Sequence, residues 1–307
     1  MAKRGWIRRM LGVATALAAL AMPPVASAAP WWKSLAPDRP IEGYADAVSA
    51  VPGERVGLRV NVPSGAGYRI RVLRLDASAD GATAVRCQPT CGVARPGVAQ
   101  PASERDPATG EIRAPWSRTD VLRVGRAWPS GYYIVLFELV DGPRAGAAGW
   151  TPLVVRRAPG ADPARILVEI PVSTWQAYHE WGGASAYVAT PGLVPSSVVS
   201  FDRPYHAGLI GWEYPLARYL ERHGYDADFQ TDLDTDRDPG SLIEHRLVIV
   251  NGHDEYWTPR TSAAFYEAKR RGVNLAFFGA NIGYWRTRLS DDRRSLAIYK
   301  QGGDPVH

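Results

Sequence analysis

The sequence predicts an α/β plus all-β fold: an N-terminal β-sandwich over residues 30–158, then a parallel-sheet α/β domain over residues 160–307. Three observations predict it. Short β-branched or aromatic runs, separated by Pro, Gly and Asp turns, fill the first part. At "RRAPGADPARILVEIP" the pattern changes, and apolar strands begin to alternate with helices. Two late strands then stop abruptly in polar, glycine-rich segments, as strands do where an open parallel sheet meets its ligand.

Taken in order, the chain opens with a leader. Lys3, Arg4, Arg8 and Arg9 give a positive start, Leu11 to Ala21 an apolar run, and Ala26-Ser27-Ala28 a small-residue cleavage site. Residues 1–28 therefore read as a secretory signal, too short to span a membrane and cleaved after Ala28. Arg8-Arg9 followed by Met10-Leu11 also suits the twin-arginine route, so the mature chain is expected in the periplasm or outside the cell. Arg55–Val62, Tyr68–Leu75, Asp120–Val124, Gly131–Val140 and Trp150–Val155 are the sandwich strands, as the spacing of their turns suggests. Residues 88–118, rich in Pro, Gly and Ala, read as a long surface excursion. Cys87 and Cys91 are the only cysteines. Outside the cytoplasm a loop disulfide is their natural state, and two thiols cannot complete a structural zinc site.

In the second half, Ile166–Ile170 is an apolar strand. Glu213–His223 is a helix with Leu216, Tyr219 and Leu220 on one face and Gly224 closing it. Asp226–Gln230 and Leu247–Val250 are strands, Thr258-Pro259 opens a helix over Ala263–Arg271 closed by Gly272, and Val273–Phe278 is the next strand. The polar stops at His253-Asp254-Glu255 and Gly279-Ala280-Asn281 follow two of these strands, so they should face one crevice.

Charge narrows the partners. Taking the leader's four basic residues from 36 Lys+Arg leaves 32 against 31 Asp+Glu. A near-neutral mature chain has no basic field for nucleic acid or an anionic membrane, and neither is expected as a partner.

The residues available at the strand ends narrow the chemistry. No Ser or Cys sits on a glycine-bracketed elbow after a strand, so an activated water is the simplest nucleophile. The spacing of His residues encodes no His-rich zinc site. Glu255 offers a carboxylate at a strand end. Tyr132, Tyr133, Tyr178 and Tyr187 offer phenols, hard oxygen donors suited to a hard cation, although tyrosine more often packs or bonds at a surface. Acids after a strand also serve simply to satisfy a helix dipole, the plain reading of Asp254, Glu255 and Glu213. Asp202 and Arg203 read as an ion pair or a loop lock, and Trp175, Trp181, Trp257 and Trp285 as walls for a dry pocket.

Four motifs occur in order: Thr174-Trp175-Gln176-Ala177-Tyr178, Ser200-Phe201-Asp202-Arg203-Pro204-Tyr205, Gly252-His253-Asp254-Glu255-Tyr256-Trp257, and Gly279-Ala280-Asn281 with Tyr284-Trp285-Arg286. In these the chain resembles the N,N-dimethylformamidase large (beta) subunit family over about residues 125–307. The resemblance implies a β-rich domain joined to a glutamine-amidotransferase-like α/β domain, left incomplete here because family members run on past residue 307. It implies hydrolysis of a small amide to an acid and an amine at a mononuclear Fe(III) held by two tyrosines and a glutamate. Carried over motif by motif, the glutamate is Glu255, one tyrosine is Tyr178, and the other is Tyr133, with Tyr132 the competing register. His253, Asn281 and Lys300 take the catalytic positions beside the metal: His253 to pass a proton to the departing amine, Asn281 or Lys300 to steady the oxyanion. A small partner subunit or a homo-oligomer is implied as well. The alternative is a non-catalytic carbohydrate- or cell-envelope-binding protein, in which the 11 tryptophans stack on sugars and the acids only cap helices.

Overall fold

A computed structural model describes residues 31–35, 37–87, 89–205, 210–300 and 302–306. The predicted leader, residues 1–28, lies outside them. No helix among the described residues is long and apolar enough to cross a membrane.

The first half is made of strands β1 (Glu42–Ala45), β2 (Ser49–Ala50), β3 (Arg55–Asn61), β4 (Tyr68–Leu75), β5 (Ala82–Val85), β6 (Glu104–Arg105), β7 (Ile112–Arg113), β8 (Asp120–Arg123), β9 (Gly131–Leu139) and β10 (Ala148–Val155). Two sheets result, one ordered β1-β3-β8 and one ordered β2-β10-β9-β4-β5. Val56, Leu58 and Val60 of β3 and Leu122 of β8 bury against Ile70, Val135, Phe137 and Leu153 of the larger sheet, giving a sandwich-like core. From residue 89 to 118 the chain is more ordered than its composition implies. It carries the β6–β7 hairpin and places Ile112, Ala114 and Trp116 against Tyr44 and Trp181. Cys87 and Cys91 are joined as a disulfide.

Strand β9 decides how the two halves meet. Its nine residues are almost wholly buried, so it has no wet face. Alternation sends Tyr133, Val135, Phe137 and Leu139 into the sandwich core, and Tyr132, Ile134 and Leu136 into a second core shared with the following half. At about 1.5–3 kcal/mol for each fully buried large apolar side chain, both interfaces are substantial.

The main sheet after residue 160 is parallel. Strands β11 (Ile166–Ile170), β13 (Ala227–Thr231), β14 (Leu247–Asn251) and β16 (Asn274–Phe278) form one sheet in the order β13-β11-β14-β16, and β12 (Val198–Ser200) lies outside it. Helix α1 (Val172–Tyr178) leaves the end of β11, α2 (Ile210–Arg222) precedes β13, α3 (Asp232–Arg237) follows it, and α4 (Pro259–Arg270) joins β14 to β16. Thr258 caps α4 through the Thr261 amide, and Pro259 occupies its first turn, as the sequence predicts. The pairs Ile170↔Thr231 and Asn251↔Phe278 bring the carboxyl ends of the strands level, with every departing loop on one side. Small ladders close that side: β15 (Tyr256–Trp257) beside β17 (Trp285–Arg286), and β18 (Arg288–Leu289) beside β19 (Ser295–Ala297), which also pairs with β12.

Candidate active site

Beyond β14 the chain turns at Gly252, which has a φ of 87°, a conformation natural only to glycine. The next strand end demands a glycine as well, because a Cβ on Gly279 would meet the Gly252 carbonyl oxygen at 1.6 Å. These two approaches let His253, Asp254 and Glu255 leave β14 close to Asn281 leaving β16. The loop backbone is then fixed by Glu255 N–H donating to Thr174 Oγ1 at 3.0 Å and Trp285 N–H donating to the Glu255 carbonyl at 2.7 Å.

Glu255 is 1% exposed, and both its carboxylate oxygens are engaged. The Tyr178 hydroxyl, from the end of α1, donates to Oε1 at 2.5 Å; the Tyr187 hydroxyl donates to Oε2 at 2.6 Å. Tyr256 donates in turn to the Tyr187 oxygen at 2.6 Å, and the Tyr178 and Tyr187 rings pack at a tilt with centroids 4.3 Å apart. Asn281 Nδ2 lies 3.3 Å from Oε1, held there by a left-handed backbone (φ 59°) that Asn tolerates. His253 Nδ1 is also 3.3 Å from Oε1, with its side chain 38% exposed. Lys300 Nζ sits 2.7 Å from the centroid of the Tyr187 ring. Both polar strand ends thus reach one carboxylate.

Tyr133 is elsewhere, which corrects the expected second tyrosine. Strand alternation points it into the sandwich core, where it stacks on Trp128 and donates to the Pro129 carbonyl at 2.8 Å. The competing Tyr132 faces the other core, stacked on Trp175, and its hydroxyl has no hydrogen-bond partner among the described residues. The second phenol at Glu255 is Tyr187, nine residues beyond Tyr178. The chain returns there through Gly182 and Gly183, both at positive φ. Of the tryptophans expected to wall the site only Trp175 lines the adjoining cavity; Trp181 packs on Trp116 and Trp257 on Phe265. Asp202 and Arg203 do not pair with each other. Asp202 pairs with Arg294 at 2.8 Å, whereas Arg203 bonds to backbone carbonyls.

Electrostatics separate these acids. Burial works to raise the Glu255 carboxyl, but the Tyr178 and Tyr187 phenols, Asn281 and the His253 charge together hold it below the ordinary glutamate value, so it is an anion at neutral pH. Burial and this neighbouring carboxylate push both phenols up. Burial brings Lys300 down to about 8. Two hard phenol oxygens and one anionic carboxylate in mutual contact fit a small, highly charged cation, which would reverse the pressure on the phenols. Among the described residues no group of three or more His, Cys, Asp and Glu is arranged to hold a metal, so any donor set here rests on the phenols.

Behind Glu255 lie Glu169, Asp232 and Asp254, all buried. Burial, then the charge of Asp254, raises Glu169 and Asp232; burial also raises Asp254. Glu169 Oε1 and Asp254 Oδ1 each lack a donor among the described residues, the pattern left when two carboxyls must share a proton. The folded protein therefore holds more protons than the unfolded chain once the pH passes the ordinary carboxyl value. Stability is full below that value and is lost as the pH rises toward the raised folded ones, by up to about 1.4 kcal/mol per pH unit for each excess proton. Glu169→Gln removes one such proton, so its Tm should fall less than the wild-type Tm between pH 5 and 8. Parallel melting curves for the two proteins would refute this account.

Domain 1 of VCBP3 from Branchiostoma floridae is similar to 39% of this chain over 96% of its own, at 13% identity and a TM-score of 0.24. The PapD-like domain 7 of human CEP192 is similar to 50% of this chain over 99% of its own, at 11% identity and a TM-score of 0.19. Likenesses this slight carry no argument about the site. No curated protein matches. The family model described as N,N-dimethylformamidase beta subunit-like, C-terminal, does match, over residues 69–307. With most of its length inside that match, the chain belongs to the N,N-dimethylformamidase beta subunit-like family.

Proposed function

We propose that this protein is an exported, metal-dependent hydrolase of a small amide, formamidase-like in chemistry, with Tyr178, Tyr187 and Glu255 holding a ferric ion. One observation carries the reading: two phenol hydroxyls from different loops meet the two oxygens of a single buried carboxylate at 2.5 and 2.6 Å. A carboxylate that merely capped a helix would meet backbone amides instead, which weighs against the binding-module alternative. The family's name for a formamide hydrolase supports the reaction class, and its name as a subunit supports a partner chain. We read the parallel sheet as the amidotransferase-like domain, joined to the sandwich near residue 160.

The ion, when bound, would polarise the amide carbonyl and acidify water. Everything else is work for the chain. His253, close to Glu255 and open to the cavity, accepts and returns a proton between water and the leaving nitrogen. Asn281 Nδ2 and the Lys300 ammonium are the donors that steady an oxyanion. Tyr256 fixes the Tyr187 hydroxyl, so the oxygens need little reorganisation. Formate release from small N-alkylformamides, by protein expressed with iron, tests the proposal. Glu255→Ala should lower turnover by at least ~100-fold, as loss of a metal ligand does more than loss of its outer support. Unchanged turnover in that variant would sink it, as would iron-containing wild type that hydrolyses none of these amides.

A further inference from the structure

Beside the phenol–carboxylate cluster lies a cavity of about 180 Å³ lined by Thr174, Trp175, Tyr178, Trp212, Glu213 and His253. Glu213 contributes an acid that the mechanism above does not use. It stands in the first turn of α2, yet it is 2% exposed, so it is no solvated helix-end charge. Its Oε1 accepts the Trp175 indole N–H at 3.1 Å, and its Oε2 has no hydrogen-bond partner among the described residues. A buried carboxyl oxygen left unmatched costs free energy unless the group stays protonated or something else enters to meet it.

The geometry points to this cavity as a subsite for a small alkylammonium ion, with Glu213 as its counter-charge and Trp175 and Trp212 as its aromatic walls. Indole faces attract organic cations better than other rings do, and Trp212, 54% exposed, stands in the wall with its ring against His253. The volume equals the liquid share of roughly six waters, which suits an ammonium bearing one or two small alkyl groups. Among the described residues no Lys or Arg lines the cavity to repel a cation. The titratable groups facing Glu213 among the described residues are His253 and Tyr178 across the cavity and the buried phenols of Tyr132 on β9 and Tyr205. Burial pushes the Glu213 carboxyl up to about 8, against the pull of its own and Trp212's backbone N–H groups and of Trp175.

At neutral pH the acid is thus mostly protonated, and the proton balance is definite. A neutral amine arriving in the cavity takes the Glu213 proton: the carboxyl O–H bond breaks, an N–H bond forms, and an ion pair remains. A pre-formed ammonium instead expels that proton to solvent. As the seat of the departing amine the subsite rests on the hydrolase reading; as a cation site it does not.

Calorimetric titration of the full chain, expressed with iron, with dimethylammonium chloride tests this. Running it at pH 6.5 in two buffers of different ionisation heat counts the protons released. Wild type should release about one proton, and its affinity should rise about tenfold between pH 6.5 and 7.5. Glu213→Gln, confirmed as folded by its melting curve, should bind at least ~10-fold more weakly, with no proton release and no pH dependence. Trp212→Ala, at a half-exposed position that should not disturb folding, should weaken binding about threefold while keeping the proton release. No binding by wild type, or Glu213→Gln binding as tightly with the same proton release, overturns the proposal. Formate release from the same samples separates the two readings. Turnover with amine binding indifferent to Glu213 defeats the subsite alone, and Glu213-dependent binding without turnover defeats the hydrolase alone.

Discussion

Tyr187→Phe, expressed with iron, should retain less than about a tenth of the metal of the wild type, whereas Tyr133→Phe should retain it all. The two residues are the rival candidates for the second phenol, one favoured by position in the chain and one by geometry. Tyr187 donates a hydrogen bond to Glu255 and accepts one from Tyr256, so its oxygen lies inside the cluster and has no substitute. Removing it leaves one phenol and one carboxylate, too few to hold a ferric ion against water. Tyr133 spends its hydroxyl on the Pro129 carbonyl, on the far side of a strand whose neighbouring residues face the site half. Its loss should cost about 1 kcal/mol of stability and no metal. Iron per chain by elemental analysis reads the first effect, and the phenolate-to-iron absorption band reads it independently. Iron lost from Tyr133→Phe and kept in Tyr187→Phe would return the assignment to the sandwich strand.

Tyr187 rather than Tyr133 stands beside Glu255, for reasons that the chain's local pattern does not carry. Strands such as Tyr68–Leu75 and Gly131–Leu139 are legible because β-branched and aromatic runs between turn residues leave few alternatives, and α4 because Thr258-Pro259 announces it. Glu255 is legible for the same local reason: it follows a buried strand in a sheet whose chemistry gathers at that edge. Tyr132-Tyr133 is a pair within a strand buried on both faces, where the usual alternation of wet and dry residues is missing and cannot say which face a phenol serves. Tyr187 depends on the turn through Gly182 and Gly183 and on contacts 68 and 69 residues away in the chain. No local signal encodes these. The nearest hint is a second tyrosine shortly after Tyr178, across two glycines. Helix α1 is hard to read in the chain because seven residues without an acid in the first turn carry little periodicity. Glu213 does stand in the first turn of α2, as its place in the chain predicts, but its burial and its bond to Trp175, 38 residues earlier, have no local signal.

Arg203→Met should lower Tm by roughly 10 °C and carry the metal centre away with it, the largest expected loss from a residue outside the cluster. Arg203 is 1% exposed, and its four described bonds all go to backbone carbonyls: Gln176 at 2.8 Å, Ser200 and Ala184 at 3.2 Å, and Trp181 at 3.3 Å. Those carbonyls span the end of α1, the glycine turn and β12, so one planar guanidinium fastens the segment that carries both Tyr178 and Tyr187. Methionine fills a similar volume but donates nothing, leaving buried acceptors bare at about 1–3 kcal/mol each before relaxation. A net loss of about 3–5 kcal/mol, at roughly 2–4 °C per kcal/mol for a chain of this size, gives the expected shift. Arg203→Lys keeps the charge but presents its donors from a single point rather than a fork, and should fall between. Phe137→Leu, in the sandwich core and away from the segment, supplies the comparison: an appreciable loss of stability with iron retained. If Arg203→Met melts near wild type, or loses stability while keeping its iron as Phe137→Leu should, the arginine is not what brings the two phenols to Glu255. The glycine turn and the packing of the Tyr178 and Tyr187 rings would then have to hold them there unaided.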